Sequence, residues 1–232
     1  MNGIGRPCFI FQPKGDLDKR QASIQLCIRA EGEQLVRVGI IFRGRGEQVK
    51  AGERAMYGLL KPFICVYFQP KAWCDGHVAR AWLEQFQQET GHLGERMLGM
   101  DGHLPQCTQA CKDIMAAYDI LPAVSPPACT DVVSPCDHHV GARIKNIMSY
   151  FYHADVREHR AAWCMPPGLG GLSAWQRRAK MALWLAAAWV VIRDDAPFLR
   201  AAFVSTGFLI AQNGSENHLI KIPTAPSYDF TL

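Results

Sequence analysis

Asp101 and Asp137 are the acidic residues whose placement could do chemistry. Asp101 follows an apolar segment, at the expected end of a strand. Asp137 follows a loop and opens an expected helix. Strand C-termini and helix N-termini in an α/β sheet converge on one edge, where sites form. A pair of carboxylates there can hold Mg²⁺ or Mn²⁺, which prefer hard oxygen ligands. Two such ions activate a water and stabilise the leaving oxygen in phosphodiester cleavage. The plainer reading makes both residues helix caps or solvated turn groups.

Other residues compete for a role. His103, Cys107 and Cys111 fall four apart, so they could share a helix face, and Cys129, Cys136, His138 and His139 cluster nearby in sequence. Cys and His at short spacing are zinc ligands. No paired, short-spaced Cys motif with the right separation is present, and core cysteines with solvated loop histidines are the alternative. Arg43 and Arg45 lie in a glycine turn, and Arg177, Arg178 and Lys180 lie near a helix start. Positioned charge of this kind suits phosphate contact; a solvated face is the alternative. Trp175, Trp184 and Trp189 are spaced for a helix interior, so core packing outweighs base stacking.

Three blocks of elements must position these groups. In the first, Ile24, Leu26 and Ile28, then Val36, Val38 and Ile40, alternate with period two around Glu31-Gly32-Glu33. This predicts an antiparallel hairpin over 22–30 and 35–43, with Phe9 to Gln12 as a short strand before it. In the second block, Phe63 to Phe68 is a strand, and Asp75 caps a helix through Glu89. Arg96 to Met100 is a strand ending at Asp101. Helical spacing runs from Pro105 to Tyr118, Ile120 to Val124 is a strand, and a helix follows Asp137 through Tyr152. In the third block, Ser173 caps a long helix through Arg193. A shorter helix spans Pro197 to Thr206 with Gly207 as its C-cap, and the tail from Asn213 is loop. Strands alternating with helices predict a mixed α/β sheet with helices on both faces and a helical C-terminal addition.

Composition bounds the function. The 232 residues are 49% hydrophobic and 20% charged, enough to bury one large core. A net charge of +4 permits a nucleic-acid partner without demanding one. Nine scattered cysteines with no secretory signal suit a reducing intracellular compartment. The longest apolar run, Met181 to Ile192, falls short of the roughly 20 residues that span a bilayer, so no membrane partner is expected.

Several stretches carry a resemblance in collinear order. They are Asp18-Lys19-Arg20-Gln21 leading into Ile24-Gln25-Leu26, then Ile41-Phe42-Arg43-Gly44-Arg45-Gly46, then Val66 to Asp75 (VYFQPKAWCD). Cys129-Thr130-Asp131-Val132 with Pro135-Cys136-Asp137 follows. Leu172-Ser173-Ala174, the helix around Trp184 to Trp189, and the tail at Asn213-Gly214-Ser215 and Leu219-Ile220-Lys221 complete it. Together they resemble the DDE superfamily endonuclease domain of pogo and Tigger-like transposases, here N-terminally truncated.

The resemblance implies an RNase H-like fold and metal-dependent DNA strand cleavage and transfer. It implies a core over 1–152, its first strand missing, and a helical C-terminal extension of the same domain over 153–232. The second acidic residue of the family carries over to Asp101 and the third to Asp137, as ligands of Mg²⁺ or Mn²⁺. DNA is the implied partner, the nucleus the implied location, and a homo-oligomer is compatible. Nothing in this chain matches the family's first Asp, and Asp16 and Asp18 sit too near the second strand to replace it. Gly102 stands where an Asn is common, and His138 and His139 stand where a small residue and Gly are usual. The expectation is a transposase-derived protein that binds DNA without cutting it. The competing expectation is a non-catalytic DNA-binding or protein-interaction domain. A decayed reading frame, exposing apolar surface where the first strand should sit, is the third.

Overall fold

A computed structural model describes residues 22–125 and 133–222. The expected strand at Phe9 to Gln12, Asp16, Asp18 and the stretch around Cys129 lie outside these residues.

The hairpin forms as expected, with shorter strands. β1 (Ala22–Gln25) pairs antiparallel with β2 (Val38–Arg43), Ile24 opposite Ile40. Nearly every residue of β2 is buried, because both of its faces are covered. The chain then turns through Gly44 and Gly46. Gly46 has φ +76°, and a Cβ there would sit 3.1 Å from the Phe68 ring, so the turn needs glycine. α1 (Ala51–Leu60) follows, where the sequence pattern predicts no element. Two glycines weaken its helical signal, and its inward face carries the charged Glu53. α1 is the crossover that brings β3 (Ile64–Gln69) parallel to β2.

α2 (Gly76–Thr90) starts where Asp75 predicts. The Asp75 carboxylate accepts the backbone N–H groups of His77 and Val78 at 3.1 and 3.0 Å. Its pKa lies below the ordinary carboxylate value: burial pushes it up, but those N–H donors together with the Gln69 side chain outweigh burial. Asp75→Ala should cost about 1 kcal/mol of stability, read by urea denaturation at pH 7. The loss should shrink as pH falls from the unfolded carboxyl pKa of about 4 through the lower folded value, where the wild-type cap becomes protonated.

β4 (Arg96–Met100) and β5 (Ile120–Val124) coincide with the expected strands and pair in parallel across α3 (Gln109–Ala117). α3 starts four residues later than its spacing predicts. The Thr108 hydroxyl accepts the Cys111 N–H and caps the helix there. A π-helical turn (Cys136–Val140) leads into α4 (Gly141–Glu158). A Cβ on Gly141 would fall 2.8 Å from the Cys136 carbonyl oxygen, so a side chain there would collide with the turn. The short α5 (Arg160–Cys164) was not expected from sequence. Ser173 caps α6 (Ala174–Arg193) through a full capping box with Gln176. α7 (Ala196–Ser205) ends before Gly207, whose φ is +84°.

One apolar cluster joins β2 to α4, α6 and α7 through Val38, Ile40, Ile144, Leu185, Trp189 and Leu199. A second, through Val36, Trp82, Phe86, Leu98 and Met115, joins α2 and α3 to β4. The architecture is the expected α/β, RNase H-like mixed sheet flanked by helices, with further helices toward the C-terminus. Its sheet is divided: β3–β2–β1 forms one part and β4–β5 the other. Among the described residues, no strand lies between β1 and β4. No described helix is long and apolar enough to cross a membrane.

Candidate functional site

The divide in the sheet is a cavity of about 710 Å³. β1 and its continuation to Arg29 line one side, and all of β4 lines the other. Trp82 and Phe86 of α2 close one face, and Phe203 and Phe208 border the opposite face.

Asp101 and Asp137 both line this cavity. Asp101 directly follows β4, whose Met100 carbonyl accepts the Ser125 N–H at 2.9 Å and holds the ends of β4 and β5 together. Asp137 sits in the π-helical turn, its N–H donating to the Ser134 hydroxyl at 3.2 Å. Both side chains are exposed. The two acidic residues singled out by their placement in the chain thus line the same cavity, one just after a strand and the other in the turn before a helix.

Their fit to the implied Mg²⁺ or Mn²⁺ is incomplete. Among the described residues, no three His, Cys, Asp or Glu side chains come together as a metal-holding group. Two carboxylates fall short of the ligand set that a pair of catalytic ions needs.

The Cys and His residues do not gather into a zinc site among the described residues. His103 stacks on Trp73 with ring centroids 6.1 Å apart. His103 and Cys107 precede the capped start of α3, so they do not share a helix face with Cys111. Cys111 is buried, its thiol donating to the Pro105 carbonyl at 3.4 Å. His139 Nε2 meets the Ser205 hydroxyl at 2.7 Å. Burial pushes the Cys27 thiol up to about 12 and the Cys74 thiol up to about 11, and it also raises Cys136. These thiols are neutral at pH 7 and poor nucleophiles.

Of the basic residues near the start of α6, two are committed to internal partners. Arg178 binds the buried Glu53 through two hydrogen bonds, and Lys180 donates to Asp155 at 2.7 Å. Arg177 lies over the Trp163 ring at 5.7 Å. Neither a solvated face nor a phosphate-facing row describes them. Trp184 and Trp189 are buried in the core, as their spacing predicts. Arg45 is exposed in its glycine turn and open to a phosphate.

Sequence reasoning missed a polar clamp between α2 and the residue before β2. Glu89 of α2 accepts the Arg37 backbone N–H at 3.0 Å, the Arg37 guanidinium, and Gln85 Nε2 at 3.0 Å. It fixes α2 against the entry to β2. No local pattern marks it, because its partner lies 52 residues away.

The description "DDE superfamily endonuclease" matches residues 19–162, more than half of the chain, and takes in β1 through α4 with both acidic residues that line the cavity. No curated protein and no solved structure matches the chain. With the expected sheet formed, and with Asp101 and Asp137 lining one cavity inside the matched span, this chain belongs to the DDE superfamily endonuclease family.

Proposed function

We propose that this chain is a transposase-derived domain of the pogo and Tigger-like kind that binds DNA and, by itself, does not cut it. The observation that carries this reading is the pair Asp101 and Asp137, lining one cavity inside the family match, without a third ligand among the described residues. DDE superfamily endonucleases generally use divalent metals and act on nucleic acid. Here the two carboxylates mark where that chemistry belongs by ancestry. The net charge of +4 and the exposed Arg45, Lys71 and Arg80 support phosphate contact. We propose the nucleus as its location, because its proposed partner is DNA. A second reading, a protein-interaction domain, is supported by the edges of β1 and β4, which have no strand partner among the described residues.

Fluorescence anisotropy with a labelled duplex tests the DNA reading. Three phosphate contacts should weaken binding roughly 40-fold between about 50 and 200 mM salt. No binding at the lower salt overturns it. In the same buffers with Mg²⁺ or Mn²⁺, the duplex should remain intact. Cleavage that disappears in Asp101→Ala or Asp137→Ala overturns the non-catalytic part.

A further inference from the structure

The two sheet edges facing the cavity are complementary to one more strand. In the β4–β5 ladder, Arg96 N–H donates to the Asp119 carbonyl and the Met100 carbonyl accepts from Ser125. Alternate residues of a strand point their main-chain groups to the same side. Arg96, Leu98 and Met100 therefore face β5, while Met97 and Gly99 turn their N–H and C=O groups toward the cavity. On the other part of the sheet, Gly44 N–H donates to the Gln69 carbonyl. By the same alternation Gly39 and Ile41 face β1, and they bond to Gln25 and Ser23, their register partners. Ala22 and Ile24 then turn their main-chain groups toward the cavity.

The lining says what kind of strand fits. Leu98 and Trp82 supply apolar surface on the α2 face, and Met97 and Phe208 supply it on the other. A strand placed here buries side chains on both sides, so it must be apolar on both. Gln25 Oε1 and Trp82 Nε1 belong to residues that line the cavity, are buried and have no hydrogen-bond partner among the described residues. Gln25 is 9% exposed and Trp82 is 6% exposed, so solvent does not readily satisfy them.

Charge sets the direction. The Ser23 hydroxyl, at the start of β1, donates to the Ala72 carbonyl at 2.6 Å. Neighbouring Trp73 stacks on His103, just past the end of β4. β1 therefore runs antiparallel to β4. Arg29 and Arg96 line one end of the cavity, and Asp101 and Asp137 line the other. A strand parallel to β4 would meet the arginines with its N-terminal end and the aspartates with its C-terminal end.

We propose that the cavity between β1 and β4 is an acceptor for one extended strand of a partner polypeptide. That strand lies parallel to β4, is apolar on both faces, and is acidic at its N-terminal end and basic at its C-terminal end. It completes the sheet by main-chain hydrogen bonding, as in β-strand addition. It also covers two edges that would otherwise be open to unspecific pairing. This inference does not depend on DNA binding.

The test uses the full chain and the capped heptapeptide acetyl-Glu-Val-Ile-Val-Ile-Val-Lys-amide, whose interior residues are apolar on both faces. Hydrogen exchange is followed by NMR at the Met97 and Gly99 amides. Saturating peptide should slow both by about tenfold or more. Exchanging the terminal Glu and Lys should weaken the effect. Gly99→Pro removes the donor facing the cavity, and a Cβ at this position meets only the Phe208 ring at 3.9 Å. In that variant the peptide should no longer slow Met97. The Leu121 amide, which faces β4, should stay protected and report an intact β4–β5 pair. No slowing in the wild type, or equal slowing in Gly99→Pro, overturns the proposal. So does protection of Met97 and Gly99 before peptide is added, because the chain would then fill its own cavity.

Discussion

Arg178→Ala should lower the free energy of unfolding by about 3–5 kcal/mol at pH 7, the cost of leaving a buried charge without its partner. Glu53 is fully buried on α1. Its carboxylate accepts Arg178 Nε at 2.6 Å, Arg178 Nη2 at 2.9 Å and the Tyr57 hydroxyl at 2.7 Å. Burial pushes the Glu53 pKa up, but the hydrogen bonds from Arg178 and Tyr57 outweigh burial and hold it below the ordinary value. The sign of the pH dependence follows. In the wild type this stabilisation is complete above the unfolded Glu pKa of about 4.3 and is lost as pH falls through the lower folded value. In Arg178→Ala the carboxylate keeps its burial and loses its cation, so its folded pKa rises. The gap between variant and wild type should therefore be widest at neutral pH and close in acid. Urea denaturation at pH 7 and pH 4 reads both. Arg178→Met combined with Glu53→Met should recover most of the loss, because two apolar groups leave no charge stranded. We propose that residues 153–232 unfold together with the core. Arg178→Ala should then shift one transition rather than create two.

Trp189→Ala should cost a further class of stability, about 3–5 kcal/mol, by opening a hole at the centre of the larger cluster. Trp189 is 1% exposed on α6, in the cluster with Ile40 of β2, Ile144 of α4 and Leu199 of α7. For a chain of this size the loss lowers the melting temperature on the order of 10 °C, measurable by thermal circular dichroism. Val191→Ala is the control. Val191 is on the same helix but 52% exposed, so it should change stability by less than about 0.5 kcal/mol. Equal shifts in both variants would mean that α6 is not packed on the sheet as described.

Much of the site frame was legible in the sequence. β4 and β5 match their expected bounds, and the Asp75 and Ser173 caps start their helices where expected. The collinear motifs led to the family that the match over 19–162 bears out. The late start of α3 had its own local signal in Thr108, overridden by apolar spacing that runs on past the cap. α1 is hidden because one of its two buried positions is a glutamate, which reads as solvent-facing until its partner is known.

Local chemistry reaches only a few residues along the chain, so strand alternation, helix caps and the acidic positions at element ends are settled by the sequence alone. Tertiary structure decided what depends on distant segments. Arg178, readable as a basic surface residue, is the partner of Glu53, 125 positions away. Asp101, just after β4, and Asp137, just before α4, line the same cavity although 36 positions separate them in the chain. The gap between β1 and β4 could not be read from strand patterns. Periodicity shows that a segment is a strand, whereas edge pairing depends on which other strand lies within hydrogen-bond reach.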